Sequence, residues 1–401
     1  MSMGDSRFRL LTNWALLGVL VFLCAPWFFP SDKLYHQAII FLLWLPAMLA
    51  LCCAELRRLL LQPELILFGL LGGWTLLVAV LQGQGQNLGD TKLPFYVLFT
   101  LLGIVLAAQQ RSYPIEWQLC VAAFIAGPLA LFSVIYPDLS TGHIGHRRAV
   151  AIGLWNTIIM AAHAVGALAV LGCLLSLRSR IGYRWPIYLL VGAGLMLFLV
   201  LGQTRGVWLA LLVTVAVCIL GRPTRWGMIV LGLGVIASLA IIVAMPGFVT
   251  QRGFSYRPEL WQQGLAIFAD HWAFGVGFND YSVVVKSLGV GFKHPHNIYI
   301  DTGIRWGVIG LGLFLALWGT VAWRAWRNRS SSLGFALLGL WTFSSVALLT
   351  DGIGLWFKPN ADWLITWLPI ALSLVLATRE LPREFIEKDG VNESGESGRA
   401  A

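Results

Sequence analysis

The sequence predicts an all-α polytopic membrane protein with about twelve transmembrane helices and one large periplasmic loop. Two features of composition favour this fold class: 58% of the 401 residues are hydrophobic and only 12% are charged, which is far from a soluble globular average. The third feature is arrangement. The apolar residues form about a dozen runs, several of them near the roughly 20 residues that a spanning helix needs.

The predicted spans follow one another with short connections, except before the tenth. Their approximate bounds are residues 10–29, 36–53, 64–81, 93–108, 116–136, 150–176, 185–203, 206–220, 226–245, 301–322, 333–350 and 362–378. The predicted regions are therefore 1–245 with helices 1–9, 246–300 as the loop, 301–378 with helices 10–12, and 379–401 as a polar, disordered tail. The first apolar run lacks a small-residue cleavage signature, so we expect an uncleaved helix and not a signal peptide.

Clusters of arginine predict the orientation. They occur in alternate connections, for example at Arg57 and Arg58 and at Arg222 and Arg225. Short loops rich in Arg and Lys stay on the cytoplasmic side. We therefore expect both ends of the chain to be cytoplasmic and residues 246–300 to face the periplasm of a bacterial inner membrane.

Several other classes of function are disfavoured. The net charge of +9 is divided among short clusters between apolar runs, so nucleic acid is not the expected partner. The six cysteines form no CxxC pair and lie in or beside apolar runs, which indicates packing and not a disulfide framework or metal site. No glycine-rich nucleotide fingerprint precedes a predicted helix on the cytoplasmic side.

Basic residues on the predicted outer side run against this charge rule. They include Arg147, Arg148, Arg205, Arg252, Arg257, Lys286, Lys293 and Arg305. Ionisable residues at the membrane usually face a cavity or partner, and guanidinium groups bind phosphate oxygens through paired hydrogen bonds. The alternative is snorkelling to lipid headgroups. Arg205 lies in the nearly loopless turn "GQTRG", where there is little room to snorkel.

The stretch "RPELWQQGLAIFADHWAFGVGFNDY" predicts an amphipathic helix within the large loop. Pro258 suits a first helical turn, and the glycines of "GVG" mark the expected end. Its apolar residues recur at three- and four-residue spacing, at Leu260, Trp261, Leu265, Phe268 and Trp272. Such a helix can lie in the membrane interface or pack on the helix bundle, and the pattern allows both.

Polar side chains then gather in "HPHNIYIDTGIRWGVIG", directly before the tenth span. His296 is the candidate general base, because histidine changes charge near neutral pH; the alternative is a hydrogen-bonded loop histidine. We expect Asn297 or Asp301 to orient its ring, with His294 and Arg305 as further supporting residues. A single HxH pair with no third ligand nearby is a weak metal signal.

Three stretches together resemble the O-antigen ligase and O-antigen polymerase superfamily. "LGQTRGVWLALLVTV" resembles its arginine hairpin, "RPELWQQGLAIFADHWAFGVGFNDY" its loop signature, and "HPHNIYIDTGIRWGVIGLGLFL" its H-N-x-Y re-entry segment. The motifs cover about residues 200–320, and the ligase branch is the closer match in length and layout. The earlier part of the chain resembles the family only as a series of spans with a basic outward loop.

The resemblance implies a metal-independent, GT-C-like glycosyltransferase without a cofactor. Members transfer a polysaccharide from undecaprenyl diphosphate to lipid A-core, so the implied partners are that donor, that acceptor and membrane lipids. By motif, the functional residues fall on Arg205, Arg257 and His296. Charge and topology add Arg147 and Arg148 to the expected diphosphate site.

The chemistry fits these residue types. Arginines stabilise the charge that builds on a diphosphate leaving group, a histidine accepts the acceptor's proton, and direct displacement inverts the anomeric centre. The outward loops show no glycosidase-like carboxylate pair. A polymerase or a protein O-oligosaccharyltransferase of the same superfamily remains an alternative. A lipid or sugar transporter is the alternative from another class, although the two halves show no paired broken helices.

Overall fold

The computed structural model describes residues 3–52, 54–82, 88–110, 112–141, 151–155, 157–176, 185–244, 256–285 and 289–380. Over these residues the chain is almost entirely helical. The α-helices are Met3–Cys24, Asp32–Ile39, Leu45–Ala50, Ala54–Arg57, Pro63–Leu81, Leu93–Ala107, Ile115–Thr141, Ile158–Ser176, Trp185–Leu201, Arg205–Gly221, Arg225–Ala244, Arg257–Asp270, Ile298–Arg327, Ser332–Asp351, Trp363–Thr366 and Leu368–Glu380. Short 3₁₀ or π segments occupy Ala25–Trp27, Ile40–Trp44, Arg58–Leu61 and Leu88–Lys92.

Eight of the described helical segments are long and apolar enough to cross a membrane. They are Phe8–Trp27, Asp32–Ala50, Pro63–Leu81, Gly89–Ala107, Ile115–Tyr136, Ile158–Ser176, Ile298–Arg327 and Ser332–Asp351. Three shorter apolar helices, Tyr188–Leu201, Arg205–Gly221 and Arg225–Ile236, coincide with predicted spans seven to nine. The last predicted span is two helices, Trp363–Thr366 and Leu368–Glu380, separated just before Pro369, which cannot donate a backbone hydrogen bond. The protein is a multi-pass, all-α membrane protein, as predicted.

The loop before the tenth predicted span contains a helix and a small hairpin. Arg257–Asp270, here called the loop helix, confirms the predicted amphipathic element and ends five residues before Gly275. The hairpin pairs Val283–Val285 with Val290–Phe292 in antiparallel register, Val283 opposite Phe292, and was not predicted. Leu260 of the loop helix packs on Val283 and Val285 in a small core, so this helix packs on protein through that face.

The helix after the hairpin, Ile298–Arg327, is here called the re-entry helix. It is broken at Gly307, where φ is 65° and ψ is −171°, a conformation open essentially to glycine alone. The break leaves backbone groups that the preceding loop satisfies. The amides of Val276 and Gly277 donate to the carbonyls of Ile304 and Arg305, at 2.9 and 2.8 Å.

This docking explains two glycines of the sequence motifs. A Cβ on Gly275 would lie 2.3 Å from the carbonyl carbon of Arg305, and one on Gly307 would lie 2.2 Å from the carbonyl oxygen of Ala273. The amide of Val308 also donates to the Trp272 carbonyl at 2.7 Å. The loop backbone is therefore built into the broken helix, which fixes the position of the residues just before it.

Candidate active site

The arginines and histidine predicted from the motifs meet at one cavity. This cavity, here called the candidate cavity, has a volume of about 460 Å³. Its lining comes from five separate parts of the chain: Ile159, His163, Gln203, Thr204, Arg205, Gly206, Val207, Arg257, His296, Thr350 and Asp351. Residues far apart in sequence thus come together where four helices begin, at Ile158, Arg205, Arg257 and Ile298, and where the helix Ser332–Asp351 ends.

His296 is oriented by a carboxylate. Its Nδ1 lies 2.6 Å from Asp351 Oδ1, and Asp351 ends the helix Ser332–Asp351. A hydrogen bond donated by Nδ1–H fixes the tautomer and leaves the other ring nitrogen, Nε2, able to accept a proton. His296 itself has a φ of 53°, which is uncommon outside glycine and turns the chain into the re-entry helix.

Arg257 is held by the same carboxylate. Its Nε donates to the Thr350 carbonyl at 2.5 Å, and its Nη2 donates to Asp351 Oδ2 at 3.3 Å. The second oxygen of Asp351 thus binds the guanidinium while the first binds the histidine. Nη1 of Arg257 has no hydrogen-bond partner within the described part of the chain, and the side chain lines the cavity.

Arg205 lies at the first turn of the helix Arg205–Gly221, after a turn of only three residues. Five consecutive residues, 203–207, line the cavity there, so the positive end of the helix dipole faces it. Gly206 permits this close approach, because a Cβ would lie 2.3 Å from Thr350 Oγ1. The hydroxyl of Thr204 is buried and has no partner among the described residues. An arginine at a helix N-terminus is an arrangement that favours negative charge nearby.

A second histidine–carboxylate pair lies at the same cavity. His163 Nδ1 is 3.1 Å from Asp362 Oδ1, and both side chains are buried. His163 lies inside the apolar helix Ile158–Ser176, and its side chain lines the cavity. Sequence reasoning missed it, although an ionisable residue within a span is itself a signal of function.

His294 supports the turn and lies outside the cavity lining. Its Nδ1 accepts a hydrogen bond from the backbone amide of His296 at 3.3 Å, and the two rings lie 4.2 Å apart. Burial, followed by the neighbouring charge of His296, lowers the pKa of His294 to about 4. A neutral ring is what that accepted hydrogen bond requires.

Asn297 and Asp301 have other partners than the His296 ring, which corrects the expectation that one of them orients it. Asn297 caps the re-entry helix, its Oδ1 accepting from the amides of Tyr299 and Ile300 at 3.0 and 3.2 Å. Asp301 is fully buried and accepts a hydrogen bond from the Tyr281 hydroxyl. Free amides at a helix start compete for a neighbouring side-chain oxygen, which spacing alone does not reveal.

Arg305 belongs to this second network. Its Nε lies 3.3 Å from Asp301, one helical turn earlier, and its Nη1 donates to the Gly277 carbonyl at 3.3 Å. Arg305 therefore ties the glycine loop to the re-entry helix. Its side chain does not line the candidate cavity.

Four of the basic residues predicted on the outer side lie outside the part of the chain that the structure describes. They are Arg147, Arg148, Arg252 and Lys286. Among the described residues, no group of three or more His, Cys, Asp or Glu side chains is placed to hold a metal ion.

Asp351 is the partner that sequence reasoning missed most clearly. It lies 55 residues from His296, so no local spacing relates the two. The signal was present in "VALLTDGIG", where a single carboxylate ends an apolar run. Charged residues at such a position usually face a partner or a cavity.

Comparison with known proteins agrees with the motifs. Residues 187–315 match the family model described as O-antigen ligase, a range that includes Arg205, Arg257 and His296. The chain is also 28% identical over 393 residues to an O-antigen ligase of Pseudomonas aeruginosa, covering 92% of each protein. The chain is also 33% identical to human atypical chemokine receptor 1 over a shorter stretch of 129 residues, which covers 35% of that receptor.

Fold and site together describe a multi-pass membrane protein with a cavity lined by two arginines and a histidine that a carboxylate orients. The resemblance drawn from the three motifs is confirmed by the O-antigen ligase family model over residues 187–315 and by the 28% identical O-antigen ligase. It is an enzyme of the O-antigen ligase type. These matches support a ligase- or polymerase-type role in lipopolysaccharide biosynthesis, with a lipid-linked glycan and lipid A-core as the general class of partners.

Proposed function

We propose that this enzyme transfers O-antigen polysaccharide from undecaprenyl diphosphate to the lipid A-core, at the periplasmic face of the bacterial inner membrane. The observation that carries the proposal is the meeting of Arg205, Arg257 and His296 at the candidate cavity. It combines a proton acceptor with an anion site, which are the two groups that this displacement requires.

His296 acts as the general base. The acceptor hydroxyl attacks the anomeric carbon, a new carbon–oxygen bond forms, and its proton passes to His296 Nε2. Asp351 holds the ring through Nδ1 and stabilises the positive charge that develops. Such proton transfer typically contributes about 10²–10⁴-fold in rate.

The arginines stabilise the leaving group. As the bond from the anomeric carbon to the diphosphate breaks, its electron pair stays on the diphosphate oxygen. Arg205, Arg257 and the positive end of the helix at residue 205 face the charge that builds there, and Thr204 offers a buried hydroxyl to the same oxygens. Arg147 and Arg148 remain proposed members of this site from charge and topology. The displacement inverts the anomeric centre.

The orientation follows from the arginine clusters. With cytoplasmic chain ends, residues 202–204, the loop helix and the end of the helix at Asp351 all face the periplasm. In this orientation, residues 246–300 are the predicted periplasmic loop and residues 379–401 are the predicted cytoplasmic tail. Both substrates are lipid-anchored, so they reach the cavity sideways from the outer leaflet.

Two candidates of the same superfamily use nearly the same chemistry with a different acceptor. A polymerase would join two undecaprenyl-linked repeats, and a protein O-oligosaccharyltransferase would use a protein hydroxyl. The match to a ligase along 92% of both chains favours the lipid A-core. The same match to a ligase disfavours a transporter.

The deciding experiment mixes purified protein in detergent with undecaprenyl-diphosphate-linked glycan and lipid A-core, without nucleotide and with excess EDTA. We expect a mass increase on the lipid A-core that disappears in His296→Ala. His271→Ala is the matched control, because His271 is exposed and lies outside the cavity lining.

Each other outcome has a distinct meaning. Lengthening of the undecaprenyl-linked glycan would identify a polymerase. An intact donor with neither product would exclude both reactions with these substrates. Full activity in His296→Ala would remove the general base, and loss of activity in EDTA that a divalent ion restores would require a metal.

A further inference from the structure

A second cavity adjoins the segment that follows Asp351. Residues 350 and 351 line the candidate cavity, whereas residues 354–360 line the second, which has a volume of about 550 Å³. This is within the range of about 300–1,000 Å³ that small-molecule sites occupy. One short segment of chain therefore connects the two cavities, and no residue lines both.

The second cavity differs from the first in charge. Asp32, Asp90 and Asp280 line it, and none of them forms an ion pair with a described residue. Of the two basic residues in its lining, Arg305 already pairs with the buried Asp301, which leaves Lys358. Three carboxylates against one remaining cation disfavour a phosphate and favour ligands that donate hydrogen bonds.

Four aromatic rings, those of Phe278, Trp306, Trp356 and Phe357, form another part of its wall. Trp356 is fixed by a hydrogen bond from its Nε1 to Thr75 Oγ1 at 2.9 Å and by stacking on Trp367. Trp306 is buried against Phe278, and its Nε1 has no hydrogen-bond partner among the described residues. Rings held in fixed positions in the wall of a cavity offer flat apolar surfaces to a ligand.

A sugar ring satisfies each of these features. Its hydroxyl groups donate to carboxylates and accept from the Lys358 ammonium, and its apolar C–H face packs on an aromatic ring. We propose that the second cavity binds neutral or amino pyranose residues of a glycan substrate while the candidate cavity holds the diphosphate. This proposal rests on the proposed function. The same chemistry fits sugars of the donor polysaccharide and sugars of the acceptor core.

The test uses the full-length protein in detergent and the variant Asp90→Asn with Asp280→Asn. Binding is measured by saturation-transfer NMR with two free oligosaccharides, O-antigen repeats and core oligosaccharide, each without lipid or diphosphate. The KM for donor and for acceptor is measured separately in the transfer assay. Asp270→Asn is the control, because Asp270 is an exposed carboxylate outside this cavity.

We expect the double variant to lose saturation transfer to one oligosaccharide. The KM for the matching substrate should rise about tenfold with kcat nearly unchanged, since these contacts form equally in ground and transition states. The oligosaccharide affected identifies the source of the bound sugars. Wild-type binding and KM values in the double variant would overturn the proposal. The NMR measurement needs no turnover, so it still decides the question if the wild type transfers no glycan.

Discussion

Two of the arginine–carboxylate clusters among the described residues differ in the hydrogen-bonding capacity that they leave unused. The cavity cluster is Arg257, Asp351 and His296; the buried cluster is Arg324, Glu64 and Glu380. In the buried cluster, Arg324 is 3% exposed and Glu64 fully buried. In the cavity cluster, the His296 side chain is 25% exposed and lines an open cavity.

The buried cluster is satisfied internally. Arg324 donates from Nε and Nη2 to the two oxygens of Glu64 and from Nη1 to Glu380, while the Ser373 hydroxyl donates to Glu64. In the cavity cluster, Nε2 of His296 and Nη1 of Arg257 are not used by Asp351 and remain able to bind a substrate. Residual hydrogen-bonding capacity at a cavity, more than the presence of a charge, separates a reactive cluster from a structural one.

The largest effect on activity is expected for Asp351→Asn. The amide cannot fix the same tautomer of His296 or accept from Arg257 as a carboxylate does, so kcat should fall by about 10²–10⁴-fold. Asp351 is only 6% exposed and binds two charged or polar partners, so some thermal stability should be lost as well, and kcat is therefore compared per folded molecule. The transfer assay measures kcat, with Asp270→Asn as the control; an unchanged kcat would show that the pair does not act in the reaction.

The next largest effect is expected for Arg324→Met, which should lower stability and leave activity unchanged. Removing one partner of a buried ion pair leaves Glu64 uncompensated, at a cost of about 3–5 kcal/mol. Thermal unfolding in detergent should show a large loss of stability, with normal activity per folded molecule at low temperature. Arg327→Met is the control, since Arg327 is exposed.

A double variant sharpens this test. Glu64→Gln combined with Arg324→Met removes the unpaired charge and should recover part of the lost stability. No recovery would mean that the ion pair is not the source of the loss.

Arg205→Lys is expected to have a smaller effect. Lysine keeps the charge but not the paired guanidinium geometry, so kcat/KM should fall by about 10–10²-fold. The matched control is Arg225→Lys, which changes an exposed first-turn arginine outside the cavity lining. Full activity would indicate that Arg205 only reaches for lipid headgroups.

The smallest effect concerns His294 and stability against pH. Its folded pKa of about 4 lies below the ordinary 6.5, so the unfolded chain binds more protons between these values. The stability that neutral His294 permits is full above about pH 6.5 and declines as pH falls toward 4. His294→Gln should flatten this decline in melting temperature; an unchanged slope would place the acid sensitivity elsewhere.

The sequence predicted the membrane fold and the meeting of Arg205, Arg257 and His296, because apolar runs, charge asymmetry and short motifs are local signals. It did not predict which carboxylate binds the His296 ring, since Asp351 and His296 are brought together only by tertiary packing. The same applies to His163, which lies in an apolar run with Asp362 far along the chain. The break at Gly307 was missed because its cause is docking of the preceding loop.

That docked loop has a consequence for protein engineering. Residues 272–277 complete the hydrogen bonds of the helix broken at Gly307, so neither segment keeps its backbone satisfied with a foreign partner. A chimera that exchanges only the loop helix and hairpin between two family members would pair a foreign loop with the native broken helix. Exchanging residues 256–308 as one block keeps the loop and the broken part of the helix together, so their hydrogen bonds are preserved.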